Sequence, residues 1–384
     1  MPMHHRARSI PAIRRLTATI AACAAAAALI GTALSVRSAQ AGDIPTFAVD
    51  ASWPKPLPNN WIMGQVGGIT ADEQGHIWVF QRPRSLTDDE KAAALDPPRT
   101  KCCVPAPPVL EFDADGNLLR SWGGPGEGYQ WFGNEHGIEV SGGFVWLTGN
   151  ANDDSQILKF TPDGKFVLQI GKIAPAKGSN DTTQLGRPAE VTVDRDANEV
   201  YIADGYGNRR VIVFDATTGA YKRHWGAYGK PPNDDKQPPY DPKAPVSQQF
   251  GNPVHCVKIA NDGLVYVCDR TNNRMQVFKK DGTFVKEFFY EKNTLANGAV
   301  WDVVIWPDPK QTWLLSADGA NNEIRVIKRE EGTVVGHFGS NGRNAGQFHW
   351  VHTMAVDAKG NLYTGEVDTG KRIQKFKLTS DALR

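Results

Sequence analysis

Val200-Tyr-Ile-Ala-Asp204-Gly-Tyr-Gly-Asn208-Arg-Arg210-Val-Ile-Val-Phe214 reads as two β-strands joined by a short polar turn, and the chain repeats it. Val265-Tyr-Val-Cys-Asp269-Arg-Thr-Asn-Asn273-Arg274-Met-Gln-Val-Phe278 is a second copy, and Asp318-Gly-Ala-Asn-Asn322-Glu-Ile-Arg325 carries the same turn again. An apolar strand precedes each of the two full copies (Val191-Thr-Val-Asp, Val257-Lys-Ile-Ala), and a glycine turn leads on to a fourth. Short alternating runs bounded by Gly, Asn and Asp argue for antiparallel hairpins. Asp115-Gly116, Asp163-Gly164 and Asp281-Gly282 supply the residues that tight hairpin turns need.

Six such units fall at about 64–123, 132–171, 185–226, 250–290, 297–339 and 347–378. A four-stranded unit repeated six times is the pattern of a radial array, so the fold expected is an all-β six-bladed propeller. The last unit stops after its third strand. Thr46-Phe-Ala-Val-Asp50 is expected to supply the fourth, closing the ring and removing an exposed edge. The spacing and the D-x-x-N-x-R turns resemble NHL repeats over nearly all of residues 42–384, a likeness that implies a fold and leaves function open.

Residues 1–41 read as a secretory signal. Arg6, Arg8, Arg14 and Arg15 precede an apolar stretch from Leu16 to Val36, and Ala39-Gln40-Ala41 has the small-x-small form of a cleavage site. A retained membrane anchor is the alternative, because the stretch is nearly long enough to span a bilayer. The expected mature domain, residues 42–384, would be periplasmic or secreted. Removing the five signal arginines from 43 basic residues leaves 38 against 42 acidic ones, a net charge of −4. Without a basic block, nucleic acid is not an expected partner, nor is a membrane once the signal is gone. Cys102, Cys103, Cys256 and Cys268 remain. An even number suits an exported protein: a cross-strand bridge between Cys256 and Cys268 fits the strand order, while Cys102 and Cys103 are either a vicinal bridge or two thiols.

One histidine recurs at a fixed position of the unit: Phe132-Gly-Asn-Glu-His136, Phe250-Gly-Asn-Pro-Val-His255 and Phe348-His-Trp-Val-His352. Each opens an innermost strand. Equivalent positions of a radial array line one axis, and three imidazoles on one axis suggest a metal. A water-filled polar channel without metal is the alternative. The residue that opens a first strand and the one just past its antiparallel partner share one end of the blade. Arg82, Tyr206 and Arg270 therefore belong with His136, His255 and His352 at the channel mouth.

This set resembles the peptidyl-α-hydroxyglycine α-amidating lyases, propellers with three zinc-binding histidines on inner strands, a D-G-Y turn, a D-R turn and an arginine ending the first blade's second strand. The resemblance implies zinc on His136, His255 and His352, Tyr206 as general base, and Arg82 and Arg270 orienting the substrate. It implies cleavage of a carbinolamide C–N bond to give an amide and glyoxylate. Three imidazoles leave an open position, the catalytic arrangement for zinc. A tyrosine hydroxyl ordinarily titrates near ~10, so it serves as a base only where cations stabilise the phenolate. Arginines at the rim suit a two-point grip on a carboxylate. Two departures stand out. Thr353 replaces the aspartate that helps hold a channel calcium in those lyases, so calcium loses its one clear side-chain ligand. Gly207 replaces a cysteine, so their disulfides do not carry over.

Arg270 could instead brace its turn, and Tyr206 could merely cover the mouth. His76, His224, His337 and His349 read as surface or packing residues. Glu190 and Asp302 sit near the histidine position in units without one, as ligand-supporting or channel polar groups. Residues 83–106, 172–184 and 227–249 form long insertions expected on the mouth face, where they would shape a pocket. Thr87-Asp-Asp-Glu90 resembles a capping box for a short helix through about Leu95. The expected function is a secreted metal-dependent lyase acting, as a monomer, on a small or peptide-like substrate at the mouth. A non-catalytic binding propeller and a lactonase-type metal-dependent hydrolase are the alternatives.

Overall fold

A computed structural model describes residues 44–383; the signal segment lies outside them. Six four-stranded antiparallel sheets follow one another along the chain. Blade 1 comprises Gln65–Ala71, Ile77–Arg82, Val109–Phe112 and Leu118–Trp122; blade 2, Glu135–Ser141, Phe144–Gly149, Gln156–Phe160 and Phe166–Gly171. Blade 3 runs from Glu190–Asp194 to Tyr221–Trp225, blade 4 from Val254–Ile259 to Phe284–Phe289, and blade 5 from Asp302–Ile305 to Val334–Phe338. Blade 6 contributes Val351–Val356, Leu362–Glu366 and Ile373–Leu378. The innermost strand of every blade lies against that of the next, and blade 6 against blade 1, so the ring is closed.

The closing strand is the expected one: Phe47–Asp50 pairs antiparallel with the last strand, Phe47 opposite Leu378 and Asp50 opposite Lys375. Both faces of each sheet are covered by neighbours. Six apolar clusters result, one at each junction; Trp78, Phe80 and Phe132 fill that between blades 1 and 2, and Trp306, Trp313 and Phe376 that between blades 5 and 6. Burying a large aromatic stabilises by about 2–3 kcal/mol, so these junctions are the main cohesive force between blades.

The recurrent D-x-x-N-x-R turn ties the loop that enters a blade to the blade itself. In blade 3, Asp204 accepts from Gly186 N, Asn208 and Arg210 Nε, and Arg210 donates to the carbonyls of Ser179 and Gln184. Asp269 with Arg274 and Asp318 with Arg325 repeat the arrangement, each pair fully buried. A buried arginine needs such full pairing, which explains why the aspartate and the arginine return together although the spacing between them varies. Cys256–Cys268 bridges adjacent strands, and Cys102–Cys103 forms a vicinal disulfide.

The 83–106 insertion corrects one expectation. Thr87 and Glu90 do exchange the reciprocal capping bonds, yet only a 3-10 turn, Ala92–Ala94, follows. Asp96-Pro97-Pro98 ends the segment before an α-helix gains enough turns to stand, and the capping Glu90 is also paired with Lys371 in blade 6.

Candidate metal centre

His136, His255 and His352 each sit second in an innermost strand, those of blades 2, 4 and 6. Pairing with the next strand slips at each of them, between Glu135 and Ile138, Val254 and Cys256, and Val351 and Thr353. The slip is common to all three, and such bulges re-aim a side chain out of the pleat. The ring centroids lie 4.8–5.1 Å apart and the rings stand steeply to one another. One potential ligand atom from each comes within 4.8 Å of those of the others.

Ring orientation follows from the blades between. His136 Nδ1 donates to Ala189 O at 2.8 Å and His255 Nδ1 to Trp301 O at 2.5 Å, carbonyls that open blades 3 and 5. With Nδ1 donating, Nε2 keeps its lone pair, as a metal ligand must. His352 Nδ1 is buried without a partner among the described residues. Burial first holds all three rings well below their ordinary pKa; a neighbouring imidazole and the two arginines add to it at His136 and His352, and Arg270 and Arg82 at His255. Neutral imidazoles facing inward fit a divalent cation, and the His₃ set is one that zinc accepts.

Tyr206 reaches over this trio. Its hydroxyl lies 3.0 Å from Nε2 of both His136 and His255, and Arg270 donates to it at 3.2 Å. The Arg270 guanidinium stacks 4.5 Å from the Trp301 ring, while its Nε is buried without a partner. Arg82 Nε donates to Glu135 O at 2.6 Å and its Nη1 to Gln65 at 2.7 Å. Burial pulls the Arg82 guanidinium down, against Tyr206 and Glu135. Arg82, Tyr206, Arg270 and His352 line the mouth, a cavity of about 340 Å³ that Trp301, Trp350 and Asn297 also line, and His136 and His255 meet it through the Tyr206 hydroxyl.

Four partners were not legible in the sequence. Gln65 steers Arg82, and Arg187 lies 5.7 Å over the Tyr206 ring. Asn252 donates to Tyr206 O at 2.7 Å. The fourth, Lys258, belongs to a deeper layer. Glu190 and Asp302 do not hold the histidines; Glu190 accepts from Val257 N at 2.9 Å and Asp302 from Met354 N at 2.7 Å, the amides two residues past His255 and His352. Lys258 Nζ meets Glu190 at 2.6 Å. Burial works against that ammonium, but Glu190, Asp302 and Glu139 outweigh it and hold it above the ordinary lysine value. Thr353 lines the small gap between the two layers together with Glu190 and Asp302, and Lys258 is the cation that faces these carboxylates.

The other histidines behave as surface groups: His76 contacts Glu111, His224 contacts Tyr221, His337 contacts Glu323 and His349 contacts Thr369. The insertions 172–184 and 227–249 pack together through Ser179 with Asp234 and Asn180 with Pro232.

Residues 254–278 match the model of the NHL repeat. NHL repeat-containing protein 3 of Homo sapiens is 30% identical over 343 residues, covering 86% of this chain and 84% of that protein. Peptidyl-alpha-hydroxyglycine alpha-amidating lyase 2 of Drosophila melanogaster is 26% identical over 357 residues, 88% of this chain and 77% of that one. Peptidyl-glycine alpha-amidating monooxygenase of Mus musculus is 23% identical over 330 residues, 83% of this chain, and the alignment spans only 31% of that longer protein.

Proposed function

The chain belongs to the NHL-repeat propeller family, and from that premise we propose that it is a secreted, zinc-dependent lyase that cleaves the C–N bond of a carbinolamide. The observation that carries this reading is the Tyr206 hydroxyl, 3.0 Å from Nε2 of His136 and of His255 and 3.2 Å from Arg270. A base, three neutral imidazoles and a guanidinium at one point suit removal of a hydroxyl proton. The relatives named for amidating lyase activity support it.

His136, His255 and His352 would hold the ion, and a divalent ion there supplies Lewis acidity toward the substrate's hydroxyl oxygen. Tyr206, as phenolate stabilised by Arg270, takes the hydroxyl proton. The freed electron pair becomes the new carbonyl as the C–N pair moves to nitrogen. The nitrogen recovers the proton from Tyr206, giving an amide and glyoxylate. Arg270 Nε, buried and unpartnered, is placed to donate to the substrate carboxylate, with Arg82 as a second cation of the mouth. One pass balances without oxidant or reductant. In this reading the protein is a periplasmic or secreted monomer.

A second reading, a propeller that binds a ligand without turnover, is favoured by the match to NHL repeat-containing protein 3. Purified protein assayed for zinc and for glyoxylate release from an N-acyl-α-hydroxyglycine tests both. One zinc with glyoxylate release is the expected result; zinc without release leaves the binding reading.

A further inference from the structure

In a ring of six blades, blade 6 stands opposite blade 3, and the two answer each other at the mouth. Tyr206 and Asp368 are each the second residue past the end of their blade's second strand, and both line the cavity. Asp368 is the one acid among the described residues that line it. The cations around this turn are engaged elsewhere: Lys371 with Glu90 and Ser85 O, Arg372 with Glu366, and Arg343 with Thr369 O. Among the described residues the exposed Asp368 carboxylate thus has no partner.

Trp350 stands beside it. Val367 N donates to Trp350 O at 3.1 Å and Trp350 N to Asn322 Oδ1 at 2.8 Å, so the backbone is fixed on both sides of this residue. Trp350 has φ +56° and Asp368 φ +53°. An aspartate tolerates this left-handed conformation, but a bulky tryptophan is strained in it, and residues held so gather at ligand sites. Trp350 lines the mouth edge-to-face with Trp301, ring centroids 5.3 Å apart. Arg270 takes the Trp301 ring, whereas no cation of the described residues stands over that of Trp350.

An indole face beside a free carboxylate suits a positively charged nitrogen, which the ring attracts and the carboxylate neutralises. The other groups of the mouth are spoken for: Arg82 and Arg270 belong with the substrate carboxylate, and Tyr206 with the hydroxyl. What reaches blade 6 is the acyl side.

We propose that Trp350 and Asp368 form a subsite for an ammonium group, so that the preferred substrate is a zwitterion, a carbinolamide whose acyl side carries a cationic amine. The proposal rests on the lyase reading of the neighbouring centre, which sets the direction in which the substrate lies.

The test is calorimetry of the purified, metal-bearing protein with N-(trimethylammonioacetyl)glycine and N-(tert-butylacetyl)glycine. These unreactive probes share one shape and differ in charge, and neither arm ligates a metal. Glyoxylate release from the two matching α-hydroxyglycines is measured alongside. The charged probe should bind about tenfold more tightly, the combined effect of one cation–π contact and one partly screened ion pair. Asp368→Asn, at an exposed position, should remove most of that gap and Trp350→Leu part of it, and added salt should narrow it. Equal affinity for the two probes, or a gap that survives Asp368→Asn, overturns the proposal. A gap that Asp368→Asn closes, without glyoxylate release from either substrate, supports the subsite and removes the lyase reading. Glyoxylate release at equal kcat/KM from both substrates, with no gap in binding, does the reverse.

Discussion

At the mouth of the channel three neutral imidazoles face one another with no acid among them, whereas one step deeper Glu139, Glu190 and Asp302 gather around the ammonium of Lys258. Both layers come from the ring of inner strands, and those of blades 2 and 4 supply a residue to each. The deeper one satisfies itself: each carboxylate finds an amide, a hydroxyl or the lysine. The upper one does not, since its inward nitrogens meet only each other and Tyr206. A layer complete in itself reads as structural, and one whose inward nitrogens lack such partners is the candidate site for a ligand.

The sharpest way to break this contrast is to remove one imidazole. His136→Ala, His255→Ala or His352→Ala should weaken metal binding by orders of magnitude, because a His₃ site has no spare ligand; metal content after dialysis reads it directly. Full retention in all three variants would move the metal elsewhere. Tyr206→Phe should keep the metal and lower glyoxylate release by about 10²–10⁴, the range for loss of a positioned base. In the deeper layer, Lys258→Met should leave metal content alone but cost about 3 kcal/mol or more by denaturant unfolding, because it strands carboxylates inside the fold. Adding Glu190→Gln should recover part of that loss.

Removing residues 46–50 should cost both layers alike. It strips the closing strand and should lower the melting temperature by several degrees, as ~1–2 kcal/mol does in a cooperative fold. A normal melting curve would mean that the ring holds without it. The smallest effect expected is a pH dependence. Burial, with Glu190 adding and Lys258 opposing, pushes Glu139 from the ordinary 4.5 up to about 7. Its folded pKa lies above the unfolded one, so its contribution to stability is full below pH 4.5 and is lost as pH rises through about 7. Melting temperatures of Glu139→Gln across that interval should decline less than those of the unaltered chain.

The sequence and the structure agree most closely where a signal repeats. The Asp…Arg turns between second and third strands fix the phase of the repeat, and from that phase the common position of His136, His255 and His352, with Tyr206 and Arg270 beside them, can be read. What stayed hidden depends on closure. Glu139 of blade 2, Glu190 of blade 3, Lys258 of blade 4 and Asp302 of blade 5 meet only because the ring returns on itself, and no local pattern encodes depth along an axis. The alternation of histidine blades with blades that offer Ala189 O and Trp301 O was hidden for the same reason, since a backbone carbonyl leaves no mark in the residue types. The helix expected after Thr87 failed on length: a capping pair is a start signal and says nothing of the prolines ahead.

The seam between Phe47–Asp50 and Ile373–Leu378 also sets a schedule. Synthesis runs from one end, so five blades can assemble in order as they emerge, each on its predecessor. The N-terminal strand must wait for a partner made more than 300 residues later, and until then one flank of blade 1 and one of blade 5 stay bare. The ring is thus fastened last, by the two parts of the domain made furthest apart in time, and a nascent chain interrupted before Ile373 carries an unsealed sheet that invites pairing with another molecule.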